Sequence, residues 1–163
     1  MTVRCKSKAG TVIKLMNEAL AREIGCVLRY KSHYFMARGI NSLSVKGEFF
    51  KHATEEQVHV DQLAERIVQL GGDLNLSLEE LLKRSHSEHV EGNSVVDMIT
   101  KDLIAERIAI DSYREMIIYV GTDDPTTRKV LEGILAQEEE HAEDLASLLK
   151  ELGPHAPAQN PGR

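Results

Sequence analysis

Apolar residues recur at intervals of three and four along most of the chain, and this period predicts four long helices. The first runs from about Thr11 to Arg38, with Val12, Leu15, Met16, Ala19, Leu20, Ile24, Val27, Leu28 and Tyr34 or Phe35 on its stripe, and it stops at Gly39. The second runs from about Ser44 to Leu70 through Phe49, Val60, Leu63 and Ile67. Gly71-Gly72 ends it, because glycine tolerates the left-handed conformation of a helix C-cap. The third starts near Asn93 or Ser94 and passes Val96, Ile99, Leu103, Ile110 and Ile117 to reach Gly121. Asp123-Asp124-Pro125 then offers an N-cap and a proline suited to the first helical position. A fourth helix follows through Val130, Ile134, Leu135, Leu145 and Leu148 to Gly153-Pro154.

At roughly 1.5 Å rise per residue, helices of about 27 residues are rods about 40 Å long. Rods of that length pack as a bundle. The turns after the first and third helices are short, so each makes an antiparallel hairpin with its successor. The connection from Gly72 to Asn93 is long and contains Ser77 with Glu80 three residues later, a capping box that predicts a short extra helix. A long crossover lets the second and third helices run parallel. The expected fold is an all-α four-helix bundle over residues 11–153, with one long crossover containing a short helix. A flexible basic arm, 1–10, precedes the bundle and a disordered tail, 154–163, follows it.

A chain of 163 residues with 42% hydrophobic residues suits one core and one domain. No apolar run reaches the roughly 18 residues of a membrane span, and the basic N-terminus lacks an apolar leader segment, so a cytoplasmic location without membrane contact is expected. Cys5 and Cys26 are too few for a disulfide framework or a cysteine-based zinc site, and Cys26 reads as a core residue. The net charge of -6 disfavours DNA binding, although Arg4, Lys6 and Lys8 make a short basic arm.

The candidate chemistry lies in a motif used twice. Glu56-Gln57-Val58-His59 follows Glu23 by 33 residues and Glu138-Glu139-Glu140-His141 follows Glu106 by 32, so the helical hairpin repeats with an offset of 82 to 83. On a helix, positions i and i+3 share a face, and a Glu and a His so spaced can address one centre. A single Glu-x-x-His on an acidic helix is ordinarily a solvated pair. Two in register, each with a matched upstream glutamate, supply six oxygen and nitrogen ligands, enough for two metal ions. Tyr30 and Tyr113 each lie seven residues after Glu23 and Glu106, so they repeat with the ligands. Mixed carboxylate and imidazole ligation suits iron or manganese, and zinc fits as well.

These residues resemble the ferritin-like superfamily, and within it bacterioferritin, from Lys14 to Gly153. The matching segments are Asn17 to Ile24 with Tyr30 and His33, Glu56 to His59 with Ala64 to Ile67, Asp102 to Glu106, and Ile134 to His141. The resemblance implies two Fe ions per subunit, with Glu23 and His59 terminal on one, Glu106 and His141 terminal on the other, Glu56 and Glu138 bridging, and Tyr30 beside them. Gln57 stands where bacterioferritins carry a haem-ligating methionine, so no haem is expected. The short C-terminus and the extra crossover helix resemble Dps-type miniferritins, which implies a homo-oligomeric cage of twelve subunits rather than twenty-four. The expected activity is a ferroxidase that oxidises Fe(II) with dioxygen or hydrogen peroxide and stores Fe(III). The alternatives are a non-storing diiron or dimanganese peroxide-detoxifying enzyme and a DNA-protecting cage. Cys5 and Cys26 do not match the paired cysteines that another Dps-like branch places near its metals. His52 with Glu48 and Glu55 is a candidate accessory iron site, for which a solvated helix face is the plainer reading. His86 and His89 with Glu88 and Glu91 read as a polar loop, and His33 as a packing or subunit contact.

Overall fold

The structure, a computed structural model, describes residues 3–39, 42–84 and 92–152. The expected tail and the His86–His89 segment lie outside these residues. The helices are α1 (Val3–Met36), α2 (Ser42–Gln69), α3 (Leu78–Arg84), α4 (Val95–Val120) and α5 (Pro125–Leu152), and no strand occurs among the described residues. The protein is all-α, a bundle of four long helices with α3 in the crossover. Among the described residues no helix is long and apolar enough to cross a membrane.

Local chemistry sets the helix ends. Ser94 caps α4 by accepting the Asp97 amide at 3.1 Å, and Asp97 reaches back to the Asn93 amide at 2.9 Å. At its other end Gly121, with φ 61°, sends its N–H to the Ile117 carbonyl. Asp124 caps α5 by accepting the Thr127 amide at 3.0 Å. The same carboxylate receives Arg66 from the end of α2 at 3.0 Å, and Arg66 also donates to the Thr127 hydroxyl at 2.8 Å. The start of the crossover is fixed to α1 by Asn17, which donates to the Asp73 carbonyl and accepts from the Asn75 amide, each at 3.1 Å.

One boundary differs from the sequence expectation. Helix α1 begins at Val3 instead of Thr11, so most of the expected flexible arm continues the helix. Lys8 donates to the Val120 carbonyl at 3.3 Å, pairs with Asp123, and sits 5.7 Å from the centre of the Tyr119 ring. The far hairpin therefore holds the helical extension in place.

Side-chain pairs establish the helix directions. Tyr30 meets Glu106 while Tyr113 meets Glu23, so α1 and α4 are antiparallel. His59 meets Gln137 while Glu55 meets His141, so α2 and α5 are antiparallel too. With α1 and α2 joined as a hairpin, α2 and α4 run the same way, as a long crossover requires. The apolar core has two parts. One contains Met16, Leu20, Leu63, Ile67, Tyr113 and Ile134, and the other contains Tyr30, Val45, Phe49, Ile99, Leu103 and Leu145. The acidic residues of the repeated motif lie between them.

Candidate metal centre

Each long helix delivers its part of the motif from a helical face whose neighbours are core residues. Glu23 comes from α1, Glu56 and His59 from α2, Glu106 from α4, and Glu138 and His141 from α5, and none is more than 1% exposed. Four carboxylates and two imidazoles thus share a water-excluded layer. Their ligand atoms form two overlapping groups, Glu23, Glu56, His59 and Glu138 in one and Glu56, Glu106, Glu138 and His141 in the other, with all atoms of a group within 4.8 Å of one another. Glu56 and Glu138 belong to both.

The imidazoles have distinct inner and outer nitrogens. His59 Nδ1 faces Glu138 at 3.0 Å and Glu56 at 3.1 Å, while its Nε2 meets the Gln137 side-chain oxygen at 3.0 Å. His141 Nδ1 faces Glu56 at 3.5 Å and Glu106 at 3.9 Å, while its Nε2 meets Glu55 at 2.9 Å. Glu55 and Gln137 occupy equivalent positions, each immediately before the glutamate of its Glu-x-x-His. Sequence reasoning overlooked this second role, although the repeat marks both positions. A hydrogen-bond acceptor on the outer nitrogen fixes the tautomer that leaves Nδ1 free to ligate.

The tyrosines cross between the halves. Tyr113 donates to Glu23 at 2.6 Å, and Tyr30 donates to Glu106, so each hydroxyl binds the glutamate of the opposite hairpin. The remaining lone pairs are not satisfied. Glu23 Oε2, Glu56 Oε1, Glu106 Oε2, both oxygens of Glu138, and His141 Nδ1 are buried without a hydrogen-bond partner. Leaving so many buried acceptors unpaired is costly, and hydrogen-bond donors cannot fill a layer composed of carboxylates. A cation is the group this donor set fits.

The charges show the same strain. Burial, reinforced by Glu23 and Glu106, raises the Glu56 carboxyl to about 8, and burial with the charges of Glu56 and Glu23 raises Glu138 to about 7. Burial and Glu138 raise Glu106 well above the usual range. Burial opposes ionisation of Glu23 as well, but the neighbouring His59 and Glu56 side chains and the Arg22 charge outweigh it and hold Glu23 low. Burial works against protonation of His59, and the Glu138, Glu23 and Glu56 carboxylates gathered around its Nδ1 overcome this and raise it.

Several nearby residues have different surroundings from those expected. His33 pairs with the buried Asp102 at 2.8 Å, which makes it a buried polar contact with an acid that sequence reasoning did not single out. Cys26 is buried as expected, but the carboxylates of Glu56, Glu23 and Glu106 bear on its thiol, and burial with their charge raises it. His52 is wholly buried and not on a solvated face; its ring stacks on His141 with centres 4.1 Å apart. Gln57 is exposed and donates to Asp61 at 3.1 Å.

A family model described as the ferritin-like domain matches residues 13–153. A nutrient stress-induced DNA-binding protein of a Nostoc species is 31% identical over 95% of this chain and 88% of its own length. A bacterioferritin of Brucella melitensis is 29% identical over 85% of this chain and 82% of its own. Among solved structures, the bacterioferritin-related protein from Bacteroides fragilis, described as a dodecameric thioferritin, is 29% identical, covers 88% of this chain and 87% of its own, and superposes with a TM-score of 0.84.

Proposed function

The chain belongs to the ferritin-like domain family, and on that basis we propose that it is a ferroxidase and iron-storage protein, with Fe(II) as substrate and Fe(III) as cargo. The observation that carries this reading is the pair of four-ligand groups sharing Glu56 and Glu138. In the proposed assignment Glu23 and His59 serve one ion, Glu106 and His141 serve the other, and Glu56 and Glu138 bridge. Binding displaces the protons that burial holds on Glu56, Glu138 and Glu106, so loading releases acid. Two Fe(II) ions held together give up one electron each to a single oxidant: dioxygen takes two electrons and two protons to become hydrogen peroxide, or hydrogen peroxide takes the same to become two waters.

The protein's part is positional and electrostatic. Gln137 and Glu55 hold the outer nitrogens of His59 and His141, and Tyr113 and Tyr30 hold one oxygen each of Glu23 and Glu106. The two apolar clusters close the layer on either side. Manganese and zinc suit the same donors. A cage of twelve subunits is supported by the dodecameric relative, whose length matches this chain.

A second reading, a DNA-protecting cage, is supported by the names of relatives such as the Nostoc protein. The net charge of -6 and the engagement of Lys8 with Asp123 weigh against it. Titration of the assembled protein with Fe(II) should saturate at two ions per chain in a rapid oxidation phase. Glu56→Ala and His141→Ala should each abolish that phase. Fast oxidation retained in both variants overturns the proposal.

A further inference from the structure

Arg22 has no counterpart in the second half of the repeat. It precedes Glu23, whereas Ala105 precedes Glu106. The guanidinium lies within the bundle, with 17% of the side chain exposed. Its Cζ stands 5.1 Å from the centre of the Tyr113 ring, and Nη1 donates to the Ser112 hydroxyl at 2.8 Å. The equivalent Tyr30 is flanked by Phe49 and His52 instead. We propose that Arg22 makes the two metal positions unequal: its fixed charge loosens the ion held by Glu23 and His59, so that this position exchanges its ion while the one at Glu106 and His141 retains its own.

A guanidinium serving as a plain ion pair closes on its acid with two parallel hydrogen bonds. Arg22 does not. Nε stays 3.6 Å from Glu23 Oε1, and Nε and Nη2 are buried without a hydrogen-bond partner. The oxygen that Nε faces is already taken by the Tyr113 hydroxyl at 2.6 Å. Glu23 Oε2, 3.8 Å from His59 Nδ1, is the oxygen left unpartnered. Tyr113 and Arg22 thus occupy one edge of the carboxylate, and the other edge faces the ligands of the centre. Ser112 and the Tyr113 ring fix the guanidinium beside that carboxylate. Arginine keeps its charge when buried, and in a layer without water such a charge is felt over several ångströms.

The sign of the effect holds at every pH. A position that has taken up a divalent cation is more positive than the empty one, even where binding expels a proton, so a fixed positive neighbour disfavours the filled state. Oxidation adds one further unit of charge to the ion. The same neighbour therefore repels Fe(III) more than Fe(II) and favours departure of the oxidised ion, a role that rests on the iron-oxidation reading.

Optical titration of the full assembly with Co(II), with metal analysis, tests the first claim. Arg22→Met keeps a long side chain and removes the charge. It should tighten the weaker of two Co(II) binding steps on the order of tenfold and leave the other near its original value. Arg22→Lys keeps the charge and should leave both steps near their original values. A weaker step that is unchanged or weakened further in Arg22→Met, at unchanged helicity, overturns the proposal, because loosened packing acts toward weaker binding. Equal tightening in Arg22→Lys also overturns it, since the charge is then not the cause. Tightening that survives His59→Ala and is lost in His141→Ala places the charge on the wrong half and overturns it too. Fewer than two Co(II) ions bound per chain by the unaltered protein overturns the two-metal centre itself, and the proposal with it. In successive additions of two Fe(II) per chain, Arg22→Met should oxidise the first at an undiminished rate and the later ones more slowly than the unaltered protein does. Later additions oxidised as fast as by the unaltered protein overturn the release role.

Discussion

The two histidines of the repeated motif differ in one atom's surroundings. His59 Nε2 meets the neutral amide of Gln137, and His141 Nε2 meets the carboxylate of Glu55. An anionic acceptor makes the imidazole the more basic ligand, so the half served by His141 should bind its ion more tightly. Replacing Glu55 with alanine should weaken one of two Co(II) binding steps by about 10- to 100-fold and leave the other near its original value. Replacing it with glutamine should bring the two steps together. Optical titration of Co(II) resolves both, and equal weakening of the two steps would contradict the assignment. The six motif residues were legible because each lies on a helix at a spacing that the chain repeats. Glu55 and Gln137 were legible in principle, since they repeat with the same offset, but a residue beside a ligand has no spacing of its own that demands a role. Asp102 and Asp144 were not legible. Their partners His33 and His52 lie 69 and 92 residues away, and no second copy of either pair exists to expose it.

At the scale of elements, the period of three and four located the four long helices, and the capping box located α3, because both signals are local. The start of α1 was misplaced for a non-local reason. Arg4, Lys6 and Lys8 look like a solvated arm when read alone, and the Lys8 contacts that hold the extension come from the α4–α5 turn. The closed end of the bundle shows how such non-local contacts fix a helix start. Asp124 is at once the cap of α5 and the acceptor for Arg66 of α2, and Thr127, wholly buried, bonds to both. The Arg66 guanidinium and Thr127 hold the Asp124 carboxyl low against the effect of burial. Asp124→Ala removes the cap, for roughly 0.5 to 2 kcal/mol, and also leaves Arg66 without its charged partner. A Tm lowered by about 4 to 8 °C is expected for a combined loss near 2 kcal/mol in a chain of this size. Calorimetry of the metal-free protein measures it, and a change under about 1 °C would show that neither the cap nor the Arg66 contact stabilises this end of the bundle.

For the whole molecule the consequence is a core divided by a layer of buried acid, stable only to the extent that protons or cations fill it. The sign of its pH dependence follows from the folded and unfolded ionisations. Glu56 and Glu138 ionise near 8 and 7 in the folded chain and near 4.5 in the unfolded chain, so the folded state binds more protons between those values. Their contribution is complete below about 4.5 and is lost as pH rises through 7 to 8. His59 and His141, both raised from 6.5, add a loss in the same direction above that value. Glu23, held low, acts oppositely, but only on the acid side of 4.5; His52, lowered to about 3 chiefly by burial, acts oppositely only below 6.5. The interval from pH 6.5 to 8.5 therefore isolates the layer. In it the metal-free protein should lose stability on the order of a few kcal/mol, visible as a Tm falling by about 5 °C or more. Cations reverse the dependence, because ligation replaces the protons and strengthens as they leave. With saturating Zn(II), the Tm should rise or hold level across the same interval, and the gap between the two curves should widen with pH. Parallel curves, falling alike with and without Zn(II), would mean that the buried carboxylates do not hold the ion.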